Sequence, residues 1–151
     1  MDRMIYNRIL LIAFIAWLLS QVTKAVIYWI INKKFMKERL FGDGGMPSSH
    51  SAVVASVATA AGLMCGWDSP LFAVAAVLAM IVMHDAVGVR QETGKQAKVI
   101  NNIVLLLQSR ASGQLSAEET LKEFVGHTGR QVIVGALGGI LTAVIMNLIL
   151  P

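Results

Sequence analysis

The sequence predicts an all-α protein, a polytopic membrane helix bundle with about four transmembrane helices and one or two short amphipathic helices. Of its 151 residues, 56% are hydrophobic and only 15% are charged. The mean hydropathy of +0.65 indicates more apolar surface than the core of a 151-residue protein can bury. Lipid is therefore expected to cover the remaining apolar surface. The apolar residues fall into long runs, and no segment shows the alternation of a strand. The length favours one domain over residues 1–151.

Composition and charge exclude several classes of protein. The apolar content excludes a disordered chain or a coiled coil. The net charge of +4 comes from basic residues beside the apolar runs, so membrane lipids and phosphate groups, not nucleic acid, are the expected partners. Cys65 is the single cysteine, so neither an internal disulfide nor a thiolate metal site is expected.

The first predicted span covers residues 9–31 and contains one charged residue, Lys24. At about 1.5 Å per residue, a run of this length crosses a hydrocarbon core of roughly 30 Å. Its apolar part is longer than that of a cleavable signal peptide, and it ends in Tyr28 and Trp29, which suit a membrane interface. We therefore expect the segment to remain in the mature chain.

The second and fourth predicted spans, residues 49–67 and 131–150, are uncharged and carry small residues at helical spacing. Such residues let helices approach closely in lipid. We interpret the pair Gly135 and Gly139 as a packing surface, and we expect that small-residue faces of this kind also permit a homo-oligomer. The small face of the second span consists of Ser48, Ala52, Ser56 and Ala60.

The third predicted span covers residues 69–85 and begins with a capping residue followed by Pro70, a pattern typical of a helix start. Residues 88–130 then form a polar segment. Apolar residues at helical spacing beneath Lys95 and Lys98 predict an amphipathic helix in it. A capping box at residues 116–119 predicts a second, short helix that ends at Gly126.

A Gly-Ser loop, residues 42–51, leads into the second span. The start of a helix presents N–H groups and a positive dipole end, which suit a phosphate group. Ser48 and Ser49 add hydroxyl donors, and His50 exchanges a proton near neutral pH. The same pattern is also typical of a helix that Pro47 and the serines merely start and cap, and local pattern alone does not separate the two interpretations.

Two further clusters carry ionisable residues. Arg90 follows the third span and has the geometry to bind phosphate through two hydrogen bonds, or it is an ordinary interfacial arginine with Asp85 as its partner. His127 precedes the fourth span, where a neutral imidazole is favoured and can act as a nucleophile, although a histidine in a turn is often only polar surface.

The four spans bring these clusters together, because the end of each odd span and the start of each even span lie on one side of the membrane. His50, Arg90 and His127 therefore share one surface. Lys24 lies about 10 Å below that surface and can extend toward it. This combination predicts an anion site equipped for proton transfer.

The segment Pro47-Ser48-Ser49-His50 resembles the Pro-Ser-Gly-His signature of the type-2 phosphatidic acid phosphatase superfamily, which includes vanadium haloperoxidases. The chain as a whole resembles the short, divergent bacterial and plastid branch of that superfamily. Further matching segments are Gly44 to Ala52 around the tetrad, Asp85-Ala86 with Gly88-Val89-Arg90, Gly94-x-Gln96-Ala97 with Asn101, and Gly126-His127-Thr128.

The resemblance implies a role for each of these site residues. His127 is the expected nucleophile, which forms a phosphohistidine, and His50 is the expected acid, which protonates the leaving alkoxide. Such a site stabilises charge with fixed donors and needs no metal or other cofactor. The residues expected to bind the phosphoryl oxygens are Lys24, Ser48, Ser49 and Arg90.

The chain departs from the family pattern in three places. No Arg-Pro follows Lys24, Arg90 is far from His127 in sequence, and Gln131 stands where the family has an aspartate. A glutamine orients an imidazole but does not stabilise its charged form as a carboxylate does. Asp85 is therefore a third catalytic candidate, as the missing carboxylate. In a metal-assisted alternative, Asp85 and Glu92 hold Mg²⁺.

We expect a lipid phosphate phosphatase whose leading substrate is phosphatidylglycerophosphate, with phosphatidic acid and prenyl diphosphates as alternatives. The competing class is a non-catalytic lipid-binding or structural membrane protein. The positive-inside rule predicts a bacterial cytoplasmic membrane protein whose site faces the cytoplasm. Only Arg3 and Arg8 lie on the opposite side, whereas the site side carries Lys33, Lys34, Lys37, Arg39, Arg90, Lys95, Lys98, Arg110, Lys122 and Arg130.

Overall fold

The computed structural model describes residues 7–33, 45–110, 121 and 127–150, except for the side chains of residues 90 and 108–110. It is an all-α bundle, and these residues contain no strand. The predicted fold class, an all-α membrane helix bundle, is confirmed. The helices are α1 (Arg8–Asn32), α2 (Ser49–Cys65), α3 (Pro70–Val87), α4 (Val89–Arg110) and α5 (Gly129–Ile149).

Within the described ranges, three helical stretches are long and apolar enough to cross a membrane: α1, α5, and Pro70–Leu107, which runs through α3 into α4. The 17 residues of α2 form a shorter apolar helix. Much of the apolar surface points away from the bundle, as expected where lipid covers it. Side chains that are more than half exposed include Leu10, Phe14, Val74, Ile81, Leu137 and Leu141.

The helix α2 lies at the centre and packs against α1, α3 and α5. Its closest neighbour is α5, because Gly135 and Gly139 bring the α5 backbone onto the carbonyl groups of Ser48 and Ala52. A Cβ atom at either glycine would overlap those carbonyl oxygens. The predicted packing role of this glycine pair is confirmed, and the small faces of the second and fourth spans pack on each other within one chain. A homo-oligomer through such faces stays a prediction.

The third span begins at Ser69 and Pro70, as predicted: the Ser69 hydroxyl accepts a hydrogen bond from the backbone N–H of Phe72 at 3.2 Å. At its other end, Gly88 joins α3 to α4. Its N–H donates to the carbonyl of His84 at 2.8 Å, and its carbonyl accepts from the N–H of Glu92 at 3.1 Å. Helical hydrogen bonding therefore continues almost unbroken from α3 into α4.

The predicted amphipathic helix is confirmed as α4, which among the described helices packs only against α3. The predicted short helix after residue 116 lies outside the described residues except for Leu121. The side chain of Asn101 donates to the carbonyl of Leu121 at 2.9 Å and accepts from its N–H at 3.0 Å. This pair ties the chain after α4 back to that helix.

Candidate functional site

The site lies at the end of the bundle where α1 ends and where α2 and α5 begin. Near the opposite end, Ile12, Ala60 and Ala143 pack into one core cluster and mark a common level of the three helices. Lys24, Ser48 and Gln131 each lie twelve residues along their helices from that level. Because α-helices rise by about 1.5 Å per residue, these three residues share a second common level. The backbone N–H of Ser48 donates to the carbonyl of Gln131 at 3.1 Å, which agrees with this register.

Lys24 is buried at this level, with 4% of its surface exposed. Its stem lies against the Gly-Ser loop, because a Cβ atom at Gly45 would be 3.3 Å from Cγ of Lys24. Gly45 has a φ of +91°, a value that favours glycine. A lysine from the first span thus reaches the loop that precedes α2. Residues 42–44 of that loop lie outside the described residues.

Ser48 is the N-cap of α2. Its hydroxyl accepts a hydrogen bond from the backbone N–H of Ser51 at 3.3 Å and from the hydroxyl of Ser51 at 2.9 Å. Ser48 and Ser51 have no exposed surface, and Ser49 is also buried. The Ser48 side chain therefore has the capping role that the sequence left open. Beyond the cap, the N–H groups of Ser49 and His50 belong to the first turn, where a helix offers no internal acceptor.

The two histidines are neighbours. The ring centroids of His50 and His127 are 6.4 Å apart, and the rings are inclined by 53°. His50 is exposed on the first turn of α2, whereas His127 is buried just before α5 with 6% of its surface exposed. The fold thus brings together two imidazole side chains that are distant in sequence. That of His50 is exposed to solvent, and that of His127 is buried.

His127 is held by two neighbouring elements. Its backbone N–H donates to the carbonyl of Ala86 on α3 at 3.0 Å, and its Nδ1 lies 3.3 Å from Oε1 of Gln131. The same Oε1 accepts a hydrogen bond from the backbone N–H of Thr128 at 3.0 Å, which identifies it as the oxygen of the amide. Nδ1 of His127 must then be the donor, and the lone pair of the neutral ring lies on Nε2.

Asp85 and Arg90 lie at the α3–α4 junction, at the same end of the bundle. Asp85 is partly buried and directly precedes Ala86, which binds His127. Arg90 is the second residue of α4, and its side chain lies outside the described part of the structure. The fold therefore brings the backbone of this junction to the histidine pair.

The carboxylate of Glu92, one of the two predicted Mg²⁺ ligands, pairs with Nζ of Lys95 at 2.6 Å on the surface of α4. The described residues include no group of three or more His, Cys, Asp or Glu that could hold a metal ion. Binding of Mg²⁺ by Asp85 and Glu92 stays a prediction.

The sequence analysis did not single out two polar residues that the structure buries near the site. Ser51 pairs with the cap Ser48, and Gln21 is buried on α1 one helical turn before Lys24, with 7% of its surface exposed. The sequence did contain a signal for Gln21. It lies three positions before Lys24, the one charged residue of the first predicted span, and that spacing places both side chains on one face of the helix.

Comparisons with known proteins agree with the resemblance in the sequence. The model of the divergent PAP2 family, PAP2 being type-2 phosphatidic acid phosphatase, matches residues 5–142, which include every residue of the site. The "uncharacterized membrane protein YuiD" of Bacillus subtilis (strain 168) is 38% identical over 145 residues, which cover 91% of this chain and 92% of that protein. No solved structure matches the chain.

Proposed function

Because this chain belongs to the divergent PAP2 family, we propose that it is a membrane phosphatase that removes a phosphate monoester from a lipid headgroup. The observation that carries the proposal is the pair His50 and His127, with ring centroids 6.4 Å apart at the start of two membrane helices. A nucleophile attacks phosphorus from about 3 Å, and a general acid reaches the leaving oxygen over about 3 Å. The separation of the two rings is of the size that such an arrangement needs.

The phosphoryl group binds at the first turn of α2. The N–H groups of Ser49 and His50 and the positive end of the α2 dipole face an anion there, and Ser48 acts by capping this turn. Lys24 contributes a positive charge from α1. Arg90 is assigned a two-point contact to the phosphoryl oxygens. Fixed donors of this kind stabilise the charge of the transition state without rearrangement.

In the first chemical step, Nε2 of His127 attacks phosphorus. A bond forms between Nε2 and phosphorus, and the bond between phosphorus and the alcohol oxygen breaks. His50, in its protonated form, donates its proton to the departing oxygen, so the lipid leaves as a neutral alcohol. The hydrogen bond from Nδ1 of His127 to Gln131 keeps the imidazole in the reactive tautomer.

Water completes the reaction. His50, now neutral, takes a proton from a water molecule as the water oxygen attacks phosphorus. The bond between Nε2 and phosphorus breaks, inorganic phosphate leaves, and both histidines return to their starting states. The exposed position of His50 at the rim supports this role, because the acid and base must exchange protons with solvent.

Phosphatidylglycerophosphate is the leading substrate. The site lies at the end of an apolar bundle, so a lipid can present its headgroup there while its chains stay in the bilayer. Basic residues concentrate on this side of the chain, which supports a cytoplasmic site and a substrate of the inner leaflet. Phosphatidic acid and prenyl diphosphates remain as alternative substrates.

A second candidate is a lipid-binding or structural membrane protein that retains the anion site without turnover. The observation that favours it is the amide of Gln131 beside His127, because an amide does not stabilise a charged imidazole as a carboxylate does. Retention of both His50 and His127 favours the enzyme, since a binding protein needs positive charge but no proton donor.

The test is phosphate release by the purified protein in detergent. Three substrates are supplied separately: phosphatidylglycerophosphate, phosphatidic acid and a prenyl diphosphate. Each is assayed once with EDTA and once with added Mg²⁺. We expect phosphate release to continue in the presence of EDTA. We also expect vanadate to inhibit it competitively, because vanadate mimics the trigonal-bipyramidal geometry of the phosphoryl group during transfer. Release that requires Mg²⁺ would support the alternative with Asp85 and Glu92. No release from any substrate would overturn the enzyme proposal in favour of the second candidate.

A further inference from the structure

The helix α4 carries an exposed apolar face. On its inner side, Gly94 and Ala97 are buried. Successive residues of an α-helix turn by about 100°, so four apolar residues in the second half of α4 fall within an arc of about 100° on the side away from that glycine and alanine. They are between 47% and 58% exposed, and they are Val99, Ile100, Ile103 and Leu107. A groove of about 350 Å³ on the same helix is lined by Lys95, Gln96, Val99 and Ile100.

The position of α4 relative to the membrane follows from the length of the helix before it. The 18 residues of α3 rise by about 27 Å, close to the roughly 30 Å of a hydrocarbon core. The whole stretch Pro70–Leu107 has 38 residues and would rise by about 57 Å, far more than one crossing needs. The helix α4 therefore begins at the membrane boundary, at the end of the bundle that holds the two histidines.

Basic residues border the apolar face along one edge. By the same rotation per residue, Lys95, Lys98 and Asn102 lie on one flank of that face. All three are exposed. Residues 89–110 include four basic residues and one acidic residue, Glu92, whose carboxylate pairs with Nζ of Lys95 at 2.6 Å. The exposed surface of α4 is therefore apolar, with a flank that is net positive.

These features favour a lipid surface over a second copy of the chain. A helix with such a pattern lies in the plane of the membrane interface, with its apolar face among the acyl chains and its basic residues at the headgroups. Anionic headgroups complement a net positive helix. Two copies that paired through this face would instead bring two net positive helices together, which like-charge repulsion opposes.

We propose that α4 is an interfacial helix that docks on anionic lipids, on the side of the membrane where the candidate site lies. The apolar face formed by Val99, Ile103 and Leu107 enters the acyl region, while Lys95 and Lys98 contact headgroup phosphates. A helix bound in this way recruits anionic lipid to the end of the bundle that contains the histidine pair. The inference concerns membrane binding and does not depend on the proposed phosphatase activity.

The test uses the full chain in lipid nanodiscs, with a nitroxide label on a single cysteine in a Cys65→Ser background. Oxygen concentrates among acyl chains and a nickel chelate stays in water, so the ratio of their collision rates with the label reports its depth. Ile103→Cys and Asn102→Cys are the matched pair, because both side chains are exposed but only Ile103 lies on the apolar face. In discs of phosphatidylcholine with about 30% phosphatidylglycerol, we expect a ratio about threefold or more higher at residue 103 than at residue 102.

The role of lipid charge is tested with the label at residue 103. We expect the ratio to fall by about twofold or more in discs of pure phosphatidylcholine, because neutral headgroups do not attract the basic flank. Lys95→Gln combined with Lys98→Gln should give the same low ratio in both kinds of disc. Lys33→Gln is the control, because Lys33 is an exposed lysine at the same end of the bundle but lies after α1. That variant should retain the dependence on lipid charge.

Three outcomes would overturn the inference. If both labels collide mainly with the nickel chelate, α4 lies in water and not at the membrane interface. If the label at residue 103 is shielded from both reagents, protein covers the apolar face, and dipolar broadening between labels on different chains would identify a second copy as the occupant. If the depth of that label does not change with lipid charge, α4 does not select anionic lipids.

Discussion

The amide oxygen of Gln131 lies 3.3 Å from Nδ1 of His127 and also accepts the backbone N–H of Thr128 at 3.0 Å. One side chain therefore orients the candidate nucleophile and supports the first turn of α5. The family pattern has an aspartate at this position. Gln131 replaces this aspartate without losing its orienting contact, because the glutamine oxygen still selects the imidazole tautomer with the lone pair on Nε2.

Replacement of Gln131 should separate these two functions. We expect Gln131→Leu to lose at least about tenfold in kcat, because the imidazole is no longer held in one tautomer, and to lower stability by about 1 kcal/mol through the lost helix-start hydrogen bond. Gln131→Glu keeps an acceptor oxygen for both donors and should stay within about threefold of the wild type. Steady-state kinetics and thermal unfolding of the two variants measure both effects. Equal loss of kcat in both variants would contradict an orienting role.

His127→Ala should abolish turnover, because the proposed mechanism forms its covalent intermediate on Nε2 of His127. The measurement is phosphate release together with acid-labile labelling of the protein by substrate that carries radioactive phosphorus. His84→Ala is the matched control, because His84 is an exposed histidine in the last turn of α3, at the same end of the bundle as His127. This variant should retain both the labelling and the rate. Full activity in His127→Ala would remove the nucleophile assignment.

His50→Ala should lower kcat by a factor of about 10² or more, the usual contribution of a positioned general acid. The loss should be much smaller with an aryl phosphate, because a good leaving group needs no proton when it departs. Parallel rates for a lipid phosphate and 4-nitrophenyl phosphate provide the comparison. If both substrates lose rate equally, His50 serves phosphate binding and not leaving-group protonation.

Gly139→Ala should destabilise the bundle by about 1–3 kcal/mol, because the new methyl group meets the backbone carbonyl of Ala52, which cannot move aside without shifting α2. Gly138→Ala is a control on the same helix: a Cβ atom there has nothing within 4 Å, and alanine improves helix propensity by about 0.5–1 kcal/mol. Thermal unfolding in detergent should therefore move in opposite directions for the two variants. A similar shift for both would mean that α2 and α5 do not pack this closely.

The proposed cytoplasmic orientation of the site can be tested with Cys65, which is exposed at the end of α2 away from the histidine pair. In intact cells a small membrane-impermeant maleimide should label Cys65. In a Cys65→Ser background, Lys37→Cys should react only after permeabilisation. The reverse pattern would place the site outside and make a prenyl diphosphate the leading substrate.

The sequence alone determined the fold class, the positions of the described helices and the family. A run of apolar residues as long as α1 or α5 has few stable environments other than lipid, so composition and length predict both the fold class and the helix positions. The start of α3 was equally predictable, because Ser69 and Pro70 act through their own neighbouring backbone. The segment Pro47 to His50 identified the family for the same reason, since the motif is contiguous.

Only the tertiary structure decided which side chains meet. The distance of 6.4 Å between the rings of His50 and His127 depends on how closely α5 lies on α2, and Gly139 permits that approach through contact with a helix distant in sequence. The burial of Lys24 against the loop at Gly45 is likewise a property of the packed bundle. Spacing along the chain specifies local hydrogen bonds and helix faces, whereas burial and pairing across helices depend on register, which exists only once the helices have packed.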